Sequence, residues 1–341
     1  MAADIAEQPA TYARLLDEHA DPIARVAAAI AERQPRFVLY TARGTSDHAA
    51  LYAAYLTEIR LGIPAGLTSP SAITVYGARP AFADSLVVGV SQSGGSPDLV
   101  EVLSVARAQG ACTVAVCNSP DSPLADAAEL VVDVAAGHER AVAATKSYTA
   151  ELLALLMLIE GVRAGDGRLP QPERDQLATL PELASNLLED PTATELAPRY
   201  RFAEQLITTG RGYAYPTARE TALKLMETSY LAALAFSGAD LLHGPLALAD
   251  PDVPVLALVG SGPAGESMRA VLAKLGERRA DVLTVGPTAG PGLHLATPDV
   301  DERYAALLDI IPLQRLALAL ALSRGENPDA PRGLRKVTET R

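Results

Sequence analysis

The 341-residue sequence predicts an α/β protein of two similar lobes, each a mostly parallel sheet flanked by helices. Three observations carry this. Short apolar runs alternate with helical patterns, the order expected when parallel strands are joined by crossover helices. Most of these runs are continuous rather than alternating, as suits strands covered on both faces. The sequence of strand, glycine turn and helix returns in the second half at nearly the same spacing, 47 residues from Gly44 to Ser91 and 48 from Gly212 to Gly260.

Taken in order, Tyr12 to Glu32 is rich in Ala, Leu and Arg at helical spacing and predicts one leading helix, which Gln34-Pro35 ends. Phe37 to Tyr40 is a strand that stops at Arg43-Gly44-Thr45-Ser46 and opens into a helix over Asp47 to Leu61. Leu86 to Val90 is a strand followed by Ser91-Gln92-Ser93-Gly94-Gly95-Ser96-Pro97 and a helix over Asp98 to Gln109. Cys112 to Val116 and Leu130 to Val134 are further strands, and a helical stretch joins Thr149 to Ala197. The second half repeats the plan with a strand at Gln205 to Thr209 and a helix at Pro216 to Ala232. A strand at Val255 to Val259, a helix at Glu266 to Leu275 and a strand at Asp281 to Val285 complete it. The boundaries are a helical lead at 1–34, a first lobe at 35–165, a helical connection at 166–197, a second lobe at 198–324 and an irregular charged tail at 325–341.

Composition excludes several classes of function. With 49% apolar and 21% charged residues the chain can bury two cores. A net charge of −12 opposes non-specific attraction to nucleic acid or an anionic membrane, so neither is expected as a partner. A small anion is still allowed, because backbone N–H groups and hydroxyls bind phosphate without a basic surface. The two cysteines, Cys112 and Cys117, fit neither a redox motif nor a disulfide framework and read as buried thiols in a reducing compartment. No secretory signal opens the chain, and Leu307 to Leu322 contains Asp309, Gln314 and Arg315, short of the roughly 18 clean residues of a membrane span. A cytoplasmic protein is expected.

Four places carry candidate chemistry. The Ser91–Pro97 loop leaves a buried strand, its glycines permit close backbone approach, and Ser96-Pro97 is a cap and first-turn pair. It reads as a phosphate cradle at a helix N-terminus or as a turn that merely caps the helix. Thr45 and Ser46 occupy the equivalent turn after the first strand, where α/β ligand crevices lie. Glu220, Lys224 and Glu227 share one helix face, either as a solvated ladder or, if buried, as a carboxylate tuned beside a cation. His243 sits in an apolar segment broken by Gly244-Pro245, as a structural residue or a site residue. The five histidines show no ligand spacing and no GxSxG elbow occurs, so neither a catalytic metal nor an activated serine is expected.

Together these segments resemble the sugar isomerase (SIS) domain family, closest to the isomerase half of glucosamine-6-phosphate synthase and the stand-alone glucosamine-6-phosphate deaminases. The stretches are Ala42-Arg43-Gly44-Thr45-Ser46, Ser91-Gln92-Ser93-Gly94, Gly137-His138-Glu139 with Ala144-Thr145-Lys146, and Ala222-Leu223-Lys224-Leu225 with Glu227-Thr228-Ser229-Tyr230. His243-Gly244-Pro245-Leu246, Pro312-Leu313-Gln314 and Pro331-Arg332-Gly333-Leu334-Arg335-Lys336 follow in the family's order.

The resemblance implies two tandem SIS lobes of doubly wound, flavodoxin-like topology. Their ligand site lies at the edge of the first lobe and is completed by the second lobe, the tail and a neighbouring subunit. It places sugar-phosphate binding on Ser91, Gln92, Ser93 and Ser96 with Ser46 helping, and sugar-hydroxyl contacts on Thr45 and the backbone near Val142. It places the C1–C2 proton carrier on Glu227 and ring opening on His243, supplied across a homodimer interface. An imine-forming lysine falls on Lys336, and Lys224 and Arg335 are candidate cations beside it. Arg43 stands where the synthase has a cysteine and Leu242 where it has a lysine, while Gly95-Ser96 replace its Glu-Thr. No Cys precedes Cys112, so the amide-transfer half is absent and glutamine-dependent synthesis by this chain alone is not expected. The implied activity is a cofactor-free aminosugar-phosphate deaminase and isomerase, converting glucosamine 6-phosphate to fructose 6-phosphate and ammonia. Two alternatives stay open: a dehydratase acting on the N-acetylated sugar phosphate, and a sensor that binds without turnover.

Overall fold

The structure, a computed structural model, describes residues 1–336. The chain separates into two compact lobes. The first comprises Gln8–Glu139 and Lys146–Thr179 with Arg335 and Lys336; the second comprises Met1–Glu7, Arg140–Thr145 and Leu180–Leu334.

In the first lobe β1 (Phe37–Thr41), β2 (Ala65–Leu67), β3 (Ser85–Ser91), β4 (Cys112–Cys117) and β5 (Leu130–Asp133) form a sheet of order β2-β1-β3-β4-β5. Every pairing is parallel. Each residue of β3 and β4 is buried, which explains their unbroken apolar runs. The helix Pro97–Ala108 packs so closely on β3 that a Cβ at Gly89 would lie 2.9 Å from a Leu103 methyl. Leu99, Val102 and Leu103 join Val87, Ala115 and Leu124 in the core beneath it.

The chain passes from β1 outward to β2 and then back across to β3. The turns that follow β1 and β3 therefore diverge at the carboxyl edge, at the switch point where doubly wound sheets hold ligands. The register sets Thr41 opposite Gly89 and Ser91 opposite Cys117, so the Arg43–Ser46 and Ser91–Ser96 turns leave neighbouring strand ends.

The second lobe repeats this order. Its strands β6 (Gln205–Gly210), β7 (Ala232–Ser237), β8 (Val255–Leu258), β9 (Val282–Gly286) and β10 (Leu293–Ala296) are arranged β10-β9-β8-β6-β7, again all parallel. Replacing β6–β10 by β1–β5 reproduces the first sheet read from its other edge.

Several expected elements are corrected. The single leading helix is two, Gln8–Glu18 and Ala20–Arg33, broken at His19. Pro22 is the cause, since its ring and missing N–H do not allow a helix to run through unbroken. The helix expected to reach Ala232 ends at Ser229, and Ala232 onward is strand β7. The connecting stretch divides into Lys146–Ala164, Gln171–Leu177, Leu180–Glu189 and Thr192–Leu196. The Glu302–Ser323 helix is long and apolar enough by length and composition to cross a bilayer, contrary to the shorter segment expected. It is 72% buried over its most apolar window and serves as a core helix of the second lobe.

Candidate active site

In the first lobe the two switch-point turns are built from their own side chains. Ser91 Oγ accepts from Gly94 N at 3.1 Å and Ser93 Oγ from Gly95 N at 3.3 Å. Both bonds use oxygen lone pairs, so each hydroxyl keeps its proton for a ligand. The carbonyls of Gln92 and Gly94 accept from Asn118 N and Leu124 N, which ties the loop to the segment after β4. Gly94 is left-handed at φ +62°, and a Cβ there would lie 2.0 Å from Ser122 Oγ. The loop thus requires glycine on two grounds.

Ser96 occupies the cap position with Pro97 next, but its hydroxyl makes no capping bond. Asp98 serves the first turn instead, accepting from Leu99 N at 3.0 Å and holding Arg43 Nε at 2.8 Å. Ser46 is buried at the start of the Gly44–Leu56 helix and donates to Glu151 Oε1 at 2.8 Å. Its proton is committed, which makes it a support for the turn in this structure. Thr45 is half-buried beside it.

Sequence patterns do not single out Asp98 or Glu151, and they mark Glu139 only as part of the Gly137-His138-Glu139 stretch, with no role. Glu139 is buried and accepts from Ser147 N at 2.7 Å and from Ser147 Oγ, capping the Lys146–Ala164 helix. A signal existed: Glu151 and Glu160 interrupt a long apolar helix, and a buried carboxylate there demands a partner. Glu160 finds Arg60 at 2.6 Å.

In the second lobe the Ala214–Ser229 helix carries the acid–base cluster. Lys224 Nζ lies 3.3 Å from Glu220 Oε1 and 2.6 Å from Glu227 Oε2. Glu220 and Lys224 are fully enclosed, whereas Glu227 is 21% exposed and marks the open end of the cluster. The ladder is therefore the buried form. Burial pushes the Lys224 ammonium toward deprotonation, but the two carboxylates outweigh it and raise its pKa overall. The three groups together carry one net negative charge. Lys224 is held between two carboxylates of its own helix.

Val142 is half-buried in the Arg140–Thr145 segment, which Asp4 fixes by accepting from Arg140 N at 3.1 Å and Ala141 N at 2.9 Å. His243 is exposed after the short Gly238–Leu242 helix, in a segment that also exposes Leu242 and Leu248 at 38% and 41%. Arg335 is exposed and Lys336 half-buried at the end of the described chain. Among the described residues no group of three His, Cys, Asp or Glu side chains is placed to hold a metal.

The turn after β8 corresponds to the serine loop after β3, yet its helix N-terminus is already filled. Glu302 Oε1 accepts from Gly265 N at 3.0 Å, at the start of the Pro263–Glu277 helix. A Cβ at Gly262 would meet Glu302 Cδ at 2.4 Å. Within the first lobe the two hydroxyl turns suit anion binding, and within the second the cation-held carboxylate suits proton transfer.

The SIS domain family model matches residues 33–161 and 200–324. The chain is similar to the glutamine--fructose-6-phosphate aminotransferase [isomerizing] of Gloeobacter violaceus, 36% identical over 310 residues, covering 86% of this chain and 50% of that protein. It spans about half the length of the curated relatives it matches. Among solved structures it is similar to a "putative phosphosugar isomerase" from Silicibacter pomeroyi, at 34% identity and a TM-score of 0.86, covering 96% of this chain and 99% of that one. It is also similar to the C-terminal domain of glucosamine-fructose-6-phosphate aminotransferase from Francisella tularensis, at 26% identity and a TM-score of 0.86, covering 96% and 97%.

Proposed function

Because the chain belongs to the SIS domain family and is of the phosphosugar-isomerase type, we propose that it is an aminosugar-phosphate deaminase and isomerase. Its reaction converts glucosamine 6-phosphate to fructose 6-phosphate and ammonia. The observation that carries this reading is the buried cluster in which Lys224 holds Glu227 at the cluster's open end. A C1–C2 proton shift needs one carboxylate able to take a proton from one carbon and return it to the next.

In this reading the Ser91–Ser96 loop binds the phosphate and His243, from the partner of a homodimer, opens the ring. Exposure of His243 in a segment that also exposes Leu242 and Leu248 supports that donation. Glu227 removes the C2 proton of the open-chain aldehyde as O1 takes up a proton, giving an enolamine, and delivers the proton it holds to C1 as the nitrogen loses one, leaving an imine at C2 beside a C1 hydroxymethyl group. Water adds to that imine and expels ammonia, or Lys336 first exchanges with it and water then frees the lysine. Lys336, an amine able to exchange with a C2 imine, favours a free amine as substrate.

The test is an NMR assay of the protein with glucosamine 6-phosphate, its N-acetyl form, their galacto epimers, and fructose 6-phosphate with ammonia. Ammonia release is expected, and Glu227→Gln is expected to lower turnover about 10²- to 10⁴-fold while sugar-phosphate binding persists. A vinylic proton from the N-acetyl sugar without ammonia would replace this reading with the dehydratase. Binding without any turnover would replace it with the sensor.

A further inference from the structure

Tyr230 ends the Ala214–Ser229 helix in the left-handed region, at φ 54° and ψ 32°. A residue with a Cβ is disfavoured there, and glycine or asparagine is the usual occupant. A bulky aromatic in that conformation asks what its ring does. Its hydroxyl accepts from the backbone N–H of Arg332 at 2.8 Å, and its ring centroid lies 3.9 Å from the Arg332 guanidinium carbon. One side chain thus grips both the backbone and the charge of a residue 102 positions later. Beyond it, Gly333 is left-handed at φ +76° and Leu334 N approaches Pro331 O at 3.4 Å, so the gripped residue sits inside a tight turn.

We propose that Tyr230 is a positioning residue: by clamping Arg332 it tethers the C-terminal segment that carries Lys336 to the end of the helix that carries Glu227. The tether is short at both ends. Tyr230 lies three residues after Glu227, and Lys336 lies four residues after Arg332, at most about 14 Å of extended chain. Without the clamp the segment from Arg332 to Lys336 keeps only its remaining contacts, and the lysine's encounter with the substrate imine is expected to slow. This rests on the reading of Lys336 given above.

The test uses Tyr230→Gly, Tyr230→Phe and Lys336→Met in the full chain. Glycine relieves the left-handed strain while removing the clamp, so the Tyr230→Gly melting temperature is expected to hold or rise. Its kcat is expected to fall about tenfold or more with KM changed less than about threefold. A residue with only a structural role would move stability and turnover in the same direction. Tyr230→Phe keeps the ring under Arg332 and is expected to recover part of the loss. Tryptic release of the tail after Arg332, followed by intact mass, is expected to be faster in Tyr230→Gly. Unchanged release overturns the tether, and faster release at wild-type kcat overturns its positioning role. Wild-type turnover in Lys336→Met overturns the reading of Lys336 instead, whatever the release rate.

Discussion

Lys224 carries its charge where water does not reach, and Glu220 and Glu227 are what make that tolerable. Removing the ammonium leaves Glu220 enclosed without its counter-ion, a change that typically costs about 3–5 kcal/mol. Lys224→Met is therefore expected to lower the urea midpoint strongly at pH 7, and a wild-type midpoint would mean that Glu220 takes up a proton in its place. Asp309 presents the opposite case. Burial raises its pKa from 3.8 to about 7, against a smaller lowering by its hydrogen bond with Thr297. From pH 3.8 up to about 7 the folded chain keeps a proton there that the unfolded chain has released. Its contribution to stability is thus full below that window and is lost as pH rises through it, at up to about 1.4 kcal/mol per unit. Asp309→Asn is expected to flatten this slope in unfolding curves taken from pH 4 to 8, and an unchanged slope would assign it to other groups.

At the level of elements, the serine loop makes the sharpest demand. Gly94→Ala would have to move Ser122, the cap residue of the Pro123–Ala127 helix, as well as adopt a left-handed φ. Calorimetry with inorganic phosphate and with the sugar phosphate is expected to show affinity lower by about tenfold or more in this variant. Wild-type affinity would place the phosphate elsewhere. The strands at the centre of each sheet were legible as continuous apolar runs because both their faces are covered. The edge strand β5 was legible too, through its Leu-Val-Val run, whereas β2 (Ala-Gly-Leu) and β10 (Leu-His-Leu-Ala) offer no continuous run of large apolar residues and β7 is only partly buried. The Glu220–Lys224–Glu227 spacing was legible, but its burial was not. The same i,i+3 and i,i+4 pattern serves a solvated ladder equally well, and only the residues packed over it from other parts of the chain decide.

For the molecule as a whole, the proposed sharing of His243 between subunits has a distinctive signature. Chains bearing Glu227→Gln and chains bearing His243→Ala would each be inactive alone. Unfolded together and refolded, half would pair as mixed dimers with one intact site each, returning roughly a quarter of wild-type activity for a symmetric pair. No recovery would mean that each site draws both residues from one chain. The repeated sheet order in the two lobes suggests two such cradles per chain, but Glu302 changes that count. A carboxylate fixed to the same chain competes for its helix N-terminus at an effective concentration that dissolved phosphate cannot match. The duplicated lobe is in this sense permanently saturated by its own sequence, and titration of the protein with sugar phosphate should close at one equivalent per chain, as a simple hyperbola with no second, weaker phase.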